Sequence, residues 1–278
     1  MKHKALKKMT PYKLMSYIIL ALLTVFLVFP LYWIFTGSVK TAADINSPSP
    51  QWFPIRPTLT NYEKLFGNPA LLWLWNTVFI AIVAMILTCI TASMAGYVLA
   101  KKNFYGKTVL FSLIVCAMAL PKQVILIPLL KEMSALHLHD TPWAIILPTV
   151  GWPFGVFLMK QFSEGIPGEM LEAARIDGAG EARTFVQIVL PMVKPGIGAL
   201  AIFTFITAWN DYFMQLIMLS ENNNLTISLG IANLQAEMAT DFGLIMAGAA
   251  VAAIPILAVF LAFQKYFTQG ITMGAVKG

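Results

Sequence analysis

Residues 14–33 are a run of twenty uncharged residues, and five further apolar runs follow at 71–99, 108–130, 142–162, 195–219 and 243–263. A bilayer core about 30 Å thick takes about 20 apolar residues per helix. Backbone polar groups find no water there, so only helices or a closed barrel can cross. Runs of this length predict helices. Composition agrees: 58% of the 278 residues are apolar and 12% are charged, far from the soluble globular range. The first run follows a basic stretch, as a signal peptide does. It is longer than the usual apolar core of such a peptide and no small-residue cleavage site follows, so it reads as an uncleaved span. Pro30 sits near its end, where a membrane helix tolerates it.

The net charge of +6 invites a nucleic-acid partner, but the placement of the basic residues excludes it. Lys2, Lys4, Lys7, Lys8 and Lys13 precede the first run, and Lys101, Lys102 and Lys107 separate the second from the third. Lys160, Arg175, Arg183 and Lys194 flank or lie within a polar stretch at 163–194, and Lys265 and Lys277 follow the last run. With six spans, all of these fall on one side. Only Lys40, Arg56, Lys64, Lys122 and Lys131 are left for the other. The positive-inside rule therefore places both termini and the 163–194 stretch in the cytoplasm. Trp33, Trp73, Trp75 and Trp143 fall at the expected outer interface, as an aromatic belt would. The resulting division is 1–70 (cytoplasmic N-terminus, first span, external loop), 71–265 (five spans with a cytoplasmic helix at about 169–190) and 266–278 (cytoplasmic tail). The proline-rich loop 36–69 reads as too broken for regular structure.

The polar stretch reads as two short helices hinged at Gly178-Ala179-Gly180. Residues 169–176 contain no breaker, and Gly178 permits the positive-φ turn that helix ends favour. A second helix restarts at Glu181, and Pro191 is expected to stop it. Glu172 and Arg175 share one face, as do Ala173 and Asp177. The small Ala173-Ala174 pair would admit a close partner surface while the charges fix register. A solvated loop helix with no partner fits the same residues.

The spacing itself is more specific. Glu172-Ala173-Ala174, three residues, Gly178, nine residues, Ile188, one residue and Leu190-Pro191 resembles the EAA signature of prokaryotic ABC-import permeases. Asn61-Tyr62, Ile127-Pro128, Phe157, Trp209-Asn210-Asp211 and the tail from Gly270 are similar to the smaller permease of the maltose-type carbohydrate importers. The resemblance covers essentially the whole chain. It implies an all-α integral membrane protein of the type I ABC importer permease fold, with six transmembrane helices, both termini cytoplasmic, in a prokaryotic cell membrane. It also implies that Glu172, Ala173, Ala174, Arg175, Asp177, Gly178, Ile188, Leu190 and Pro191 form a coupling helix seated in a cytoplasmic ATPase. The tail, through Gly274, Val276 and Lys277, would reach between two such ATPases. The implied partners are a second homologous permease, two ATPase subunits and an external sugar-binding protein.

No enzyme site is legible. Gly106-Lys107-Thr108 imitates the end of a P-loop, but the glycine required five residues earlier is Lys101. No cofactor is expected in this chain, and ATP and magnesium belong to the partner ATPase. Cys89 and Cys116 lie within apolar runs, which excludes a disulfide framework. His137-Leu138-His139-Asp140 alternates as a metal site would, yet lacks a third ligand and reads as a solvated turn. No metal is expected.

Two charges fall inside apolar runs, each costing about 2.5–3.5 kcal/mol near the bilayer centre. Lys122 and Asp211 lie at similar depth, roughly 20–24 Å from the cytoplasmic face at 1.5 Å per residue. They either pair to fix helix packing or face a shared aqueous path. Asn210, Asp211 and Gln215 on such a path would suit hydroxyl-rich cargo, and an unpaired Lys122 would suit an acidic sugar. A permease for another solute such as glycerol phosphate, and an ion-driven secondary transporter, are the competing readings. The latter calls for repeated halves, which the sequence does not show.

Overall fold

The protein is described from a computed structural model covering residues 10–237 and 241–275. Helices make up all of its regular structure among the described residues, with no strand. Two compact units can be separated, Met1–Asn68 with Leu234–Val251, and Pro69–Asn233 with Ala252–Gly278.

In the first unit, helix α1 (Pro11–Gly37) starts on Pro11, whose fixed φ suits a first helical position, and continues through Pro30. Up to Phe29 its described residues are exposed apart from a half-buried Ser16. The loop that follows is more ordered than its prolines predict. Thr41 caps the short α2 (Ala42–Ile45) by accepting from Asp44 N at 3.2 Å. Helix α3 (Thr60–Phe66) occupies the proline-free stretch behind it. Buried Asn61 holds the turn after α1 by donating to Ser38 O (2.9 Å) and Lys40 O (2.8 Å). A later stretch of the chain returns here. Gly243 lies against Asn61, Gly37 lies against Met246, and Lys64 pairs with Asp241 at 2.5 Å.

Helix α4 (Ala70–Lys101) is the mast of the second unit. Its buried face alternates small residues, including Ala81, Ala84, Ala92, Ser93 and Gly96, which let neighbouring backbones come close. A Cβ on Gly96 would lie 2.6 Å from Lys160 N and from Met159 C, so the glycine is required by contact, not conformation. Helices α5 (Lys107–Met118) and α6 (Lys122–Ala135) follow, bent by 106°. The third apolar run is therefore broken rather than continuous. Pro121 has no N–H to give and disfavours helical backbone in the residue before it.

The fourth run forms α7 (Trp143–Val150) and α8 (Pro153–Glu164), interrupted at Gly151-Trp152, with Pro153 at the first position of the second helix. Helix α9 (Gly168–Ile176), α10 (Glu181–Thr184), a π-helical turn (Phe185–Val189) and α11 (Leu190–Met192) make up the polar stretch. Pro191 does not end this second arm. Leu190 N reaches back to Phe185 O in the widened turn, the helix runs on to Met192, and the chain turns at Val193. Helix α12 (Lys194–Asn210) leaves at 77°. It stops before the fifth run does, because Asp211 caps a new helix, α13 (Tyr212–Met218). Helices α14 (Ile227–Glu237) and α15 (Phe242–Ala275) complete the chain.

Among the described residues, four helical segments are long and apolar enough to cross a membrane, Pro11–Gly37, Ala70–Lys101, Trp143–Glu164 and Phe242–Phe263, or up to six if each bent pair is one span. The external-side expectations need two corrections. Trp73 is 2% exposed and donates to Asn222 O at 2.6 Å, so it is an internal strut, not part of a belt. Asp140 is no free turn residue either: its carboxylate accepts Ser220 N at 2.7 Å and Glu221 N at 3.2 Å, tying two loops together.

Replacing Gly96 by Val is expected to lower stability by about 1–3 kcal/mol through overpacking against backbone that cannot yield. Thermal unfolding of the purified chain in detergent checks this, with Gly180→Ala, in open space, as the control.

Candidate functional site

Helix α9 is amphipathic over a short length. Leu171 and Ala174 are buried, while Glu172, Ala173, Arg175, Ile176 and Asp177 face outward. Ala174 therefore belongs to the inner face, and only Ala173 of the small pair is available for close approach. The inner face is anchored in a cluster made of Ala92, Tyr97, Met159, Ile166, Leu171, Val189, Val193 and Leu200. Four of these, Ala92, Tyr97, Met159 and Leu200, come from the long apolar helices, and four, Ile166, Leu171, Val189 and Val193, from the polar stretch. Ile188 and Leu190 are half-buried, and Ile188 packs on the cluster, whereas Pro191 is exposed.

The turn after α9 is a Schellman motif. Gly178 has φ +73°, its N–H donates to Arg175 O at 3.0 Å, and Ala179 N donates to Ala174 O at 2.9 Å. A Cβ there meets nothing within 4 Å, so the glycine answers a backbone requirement only. Just beyond it, Glu181 gathers the charges of the region. Lys102, at the end of α4, contacts it at 2.5 Å, Arg175 lies at 3.8 Å, and the Tyr97 hydroxyl donates at 3.4 Å. The Lys102 hydrogen bond, with the positive charges of Lys102 and Arg175, outweighs partial burial and holds the Glu181 carboxyl below its ordinary range. Lys101 donates to the carbonyls of Glu164 (3.0 Å) and Ile166 (2.6 Å), closing the start of the stretch onto the same helix end. Sequence spacing singled out α9 but not this clamp. Lys101 and Lys102 looked like topology markers, because nothing in one dimension places them opposite residues 164–181.

The second candidate lies at the breaks in the apolar runs. Lys122 Nζ and Asp211 Oδ2 are 3.1 Å apart, with side chains 26% and 16% exposed, so these two charges do pair. Lys122 also lies 4.9 Å from the ring centroid of Trp152, a residue that spacing did not single out. Asn210 is exposed and its amide donates to Ile206 O at 3.0 Å. Gln215 corrects the expectation of a path-facing residue, because it is 0% exposed. Its amide donates to Ala208 O (3.1 Å) and Trp209 O (3.4 Å) and accepts from Thr226 at 2.6 Å. Those carbonyls lost their helical partners at the Asp211 break, and Gln215 replaces them. Gly274 lies in the last turn of α15, while Val276 and Lys277 lie outside the described residues. No group of three metal-ligating side chains occurs among the described residues.

Comparison with known proteins shows similarity over nearly the full length. Residues 92–273 match the family described as binding-protein-dependent transport system inner membrane component. The chain is 34% identical to the arabinooligosaccharides transport system permease protein AraQ of Halalkalibacterium halodurans, over 90% of this chain and 91% of that one. It is 32% identical to the sulfoquinovosyl glycerol transport system permease protein SmoH of Agrobacterium fabrum, over 96% and 94%. Among solved structures, a bacterial ABC transporter involved in import of the acidic polysaccharide alginate superposes with a TM-score of 0.80. That match covers 92% of this chain and 96% of the other at 20% identity, a likeness of fold.

Two outcomes test the geometry of the polar stretch. Gly178→Ala forces a side chain into left-handed backbone and should destabilise the turn by about 1–2 kcal/mol, read from thermal unfolding. The Glu181 clamp should be complete above the ordinary glutamate range, about pH 4.3, and be lost as pH falls through its lower folded value. Glu181→Gln should remove that acid-dependent component from the pH profile of the melting temperature.

Proposed function

From the premise that this chain belongs to the family of binding-protein-dependent transport system inner membrane components, we propose that it is the smaller permease subunit of an ATP-driven carbohydrate importer. It lines half of a translocation path in a heterodimer with a homologous permease. In this reading α1, α4, α5 with α6, α7 with α8, α12 with α13, and α15 are the six spans, and both termini are cytoplasmic.

The observation that carries the coupling role is the two-sided build of α9. Its outer face, with Glu172, Ala173, Arg175 and Asp177, is free for a partner, while on the inner face Ala174 is buried and Leu171 is locked into the cluster that includes α4, α8 and α12. A solvated loop helix needs no such anchorage. A force applied to the outer face is passed to the spans because packed interiors are stiff. Glu172 makes the charged contact with the ATPase, Gly178 sets the angle between the two arms, and Ile188, Leu190 and Pro191 hold the second arm at the membrane. Gly274, Val276 and Lys277 make the tail contact between the ATPases. ATP and magnesium are bound by those subunits. ATP closure favours the outward-facing state by binding it more tightly, since a ligand shifts a conformational equilibrium only through differential affinity.

An external binding protein delivers the cargo. Another solved structure of similar fold is a bacterial alginate ABC transporter in complex with an alginate pentasaccharide-bound periplasmic protein. Carbohydrate is the cargo class because the relatives at 30% identity or more over nearly the full chain include importers of arabinooligosaccharides and lactose.

The test uses the complex purified from its native membrane. Glu172→Ala and Gly178→Val should each reduce binding-protein stimulation of ATP turnover at least tenfold while the permease remains in the membrane. Full stimulation in both variants would overturn the coupling role.

A further inference from the structure

Three helix interruptions meet at one place in the second unit. The α5–α6 break makes Lys122 the first residue of α6, the α7–α8 break sets Trp152 immediately before α8, and the α12–α13 break leaves Asp211 capping α13. Irregular backbone at membrane depth is tolerated only where it is buried in protein or lines a cavity. Here there is a cavity of about 300 Å³, with Lys122, Thr149 and Trp152 among its lining and Leu120, Ile125 and Met214 among its apolar walls. That is the lower end of the size range of small-molecule sites, and a mostly apolar lining with few convergent polar groups is their usual character.

The lining fits one sugar ring. Such a ring has apolar C–H faces and a polar rim of hydroxyls. The Lys122 ammonium lies over one face of the Trp152 indole, 4.9 Å from its centroid, so a sugar ring would stack on the opposite face, with its hydroxyls reaching the ammonium past the ring edge. An ammonium has three donors, of which Asp211 takes one at 3.1 Å. Thr149 donates to Ile145 O at 2.8 Å and keeps its lone pairs for a hydroxyl. Asp211 is not among the residues lining the cavity and acts through Lys122, as its counter-ion. Lys122 is the only charged residue in the lining, and it is already neutralised.

We propose that the cavity formed by Trp152, Thr149 and the Asp211-neutralised Lys122 is a cargo subsite in this subunit, built for one uncharged sugar ring. The proposal rests on the reading of this chain as a carbohydrate importer permease. A carboxylated sugar finds no spare cation here, because it must compete with Asp211 for Lys122. A neutral ring uses the two remaining donors and the indole without disturbing the pair. Trp152 is the contact residue, and Asp211 is a positioning residue that sets the charge of cargo accepted.

The test is direct sugar binding to the purified transporter complex without the binding protein, so that selection by the latter does not enter. The probes are arabinotriose as the neutral sugar and an alginate trisaccharide as the acidic one. The wild-type complex should bind arabinotriose at least tenfold more tightly than the alginate trisaccharide. Trp152→Ala should weaken arabinotriose binding at least tenfold, and Trp152→Phe, which keeps an aromatic face and guards against misfolding, should restore part of it. Asp211→Asn should free Lys122 and raise affinity for the alginate trisaccharide at least tenfold. Unchanged arabinotriose affinity in Trp152→Ala, wild-type preference for the acidic probe, or wild-type binding of neither overturns the subsite. Binding-protein-stimulated ATP turnover, measured on the same preparations, separates the two failures. If stimulation persists while the sugar results fail, the subsite is wrong and the importer stands; if the wild type shows no stimulation, the importer reading itself fails.

Discussion

The approach of Gly96 to the backbone at Met159 and Lys160 is the contact on which the second unit depends. In lipid there is no hydrophobic force to drive helices together, so association rests on close packing, and close packing needs small residues at the crossing. Ala92 beside Gly155 and Ser93 near Gly96 extend the same seam. Because α4 and α8 meet there, the C-terminal end of α4 lies beside the stretch that follows α8. Lys101 can then reach the carbonyls of Glu164 and Ile166, and Lys102 can reach Glu181. The geometry of the polar stretch is thus inherited from a contact between spans.

A second constraint shapes the opposite half of the unit. Each break in a membrane helix frees backbone groups that lipid cannot satisfy, and the chain answers with nearby side chains. Asp211 receives Met214 N, and Gln215 donates to the carbonyls of Ala208 and Trp209. Further out, Thr77 accepts from Ile227 N at 2.9 Å, and Asn76 donates to the carbonyls of Asn223 and Leu225. With the Asp140 carboxylate on Ser220 and Glu221, these bonds fix the 220–227 segment against α4 and the 140 turn. Breaks placed at Pro121, Trp152 and Asp211 could then accumulate at one depth without unravelling the helices around them.

Much of this was legible in one dimension. Apolar runs gave the helical class, Gly178 marked its turn, and the equal depth of Lys122 and Asp211 anticipated their contact. The misreadings share a cause. Gln215 looked like a path residue because it is polar one turn past Asn210 and Asp211; its burial follows from a break that frees the very carbonyls it serves. Trp73 looked like an interfacial anchor because it sits near a span end, but Gly230 leaves room for its ring and Asn222 receives its N–H. Pro191 looked like a stop, until a π-helical turn ahead of it gave the helix room to continue.

Sequence alone determined what depends on composition and near-neighbour spacing: lipid-soluble helices, a polar insertion with an outward face, and glycine where the backbone must turn left-handed. Tertiary structure decided which side chains meet. Lys102 and Glu181 are separated by 79 residues, Lys122 and Asp211 by 89, and Trp73 and Asn222 by 149. Such pairings depend on how helices cross, and crossings are set by the few small residues that allow backbones to touch, a property of two surfaces together that neither segment carries alone.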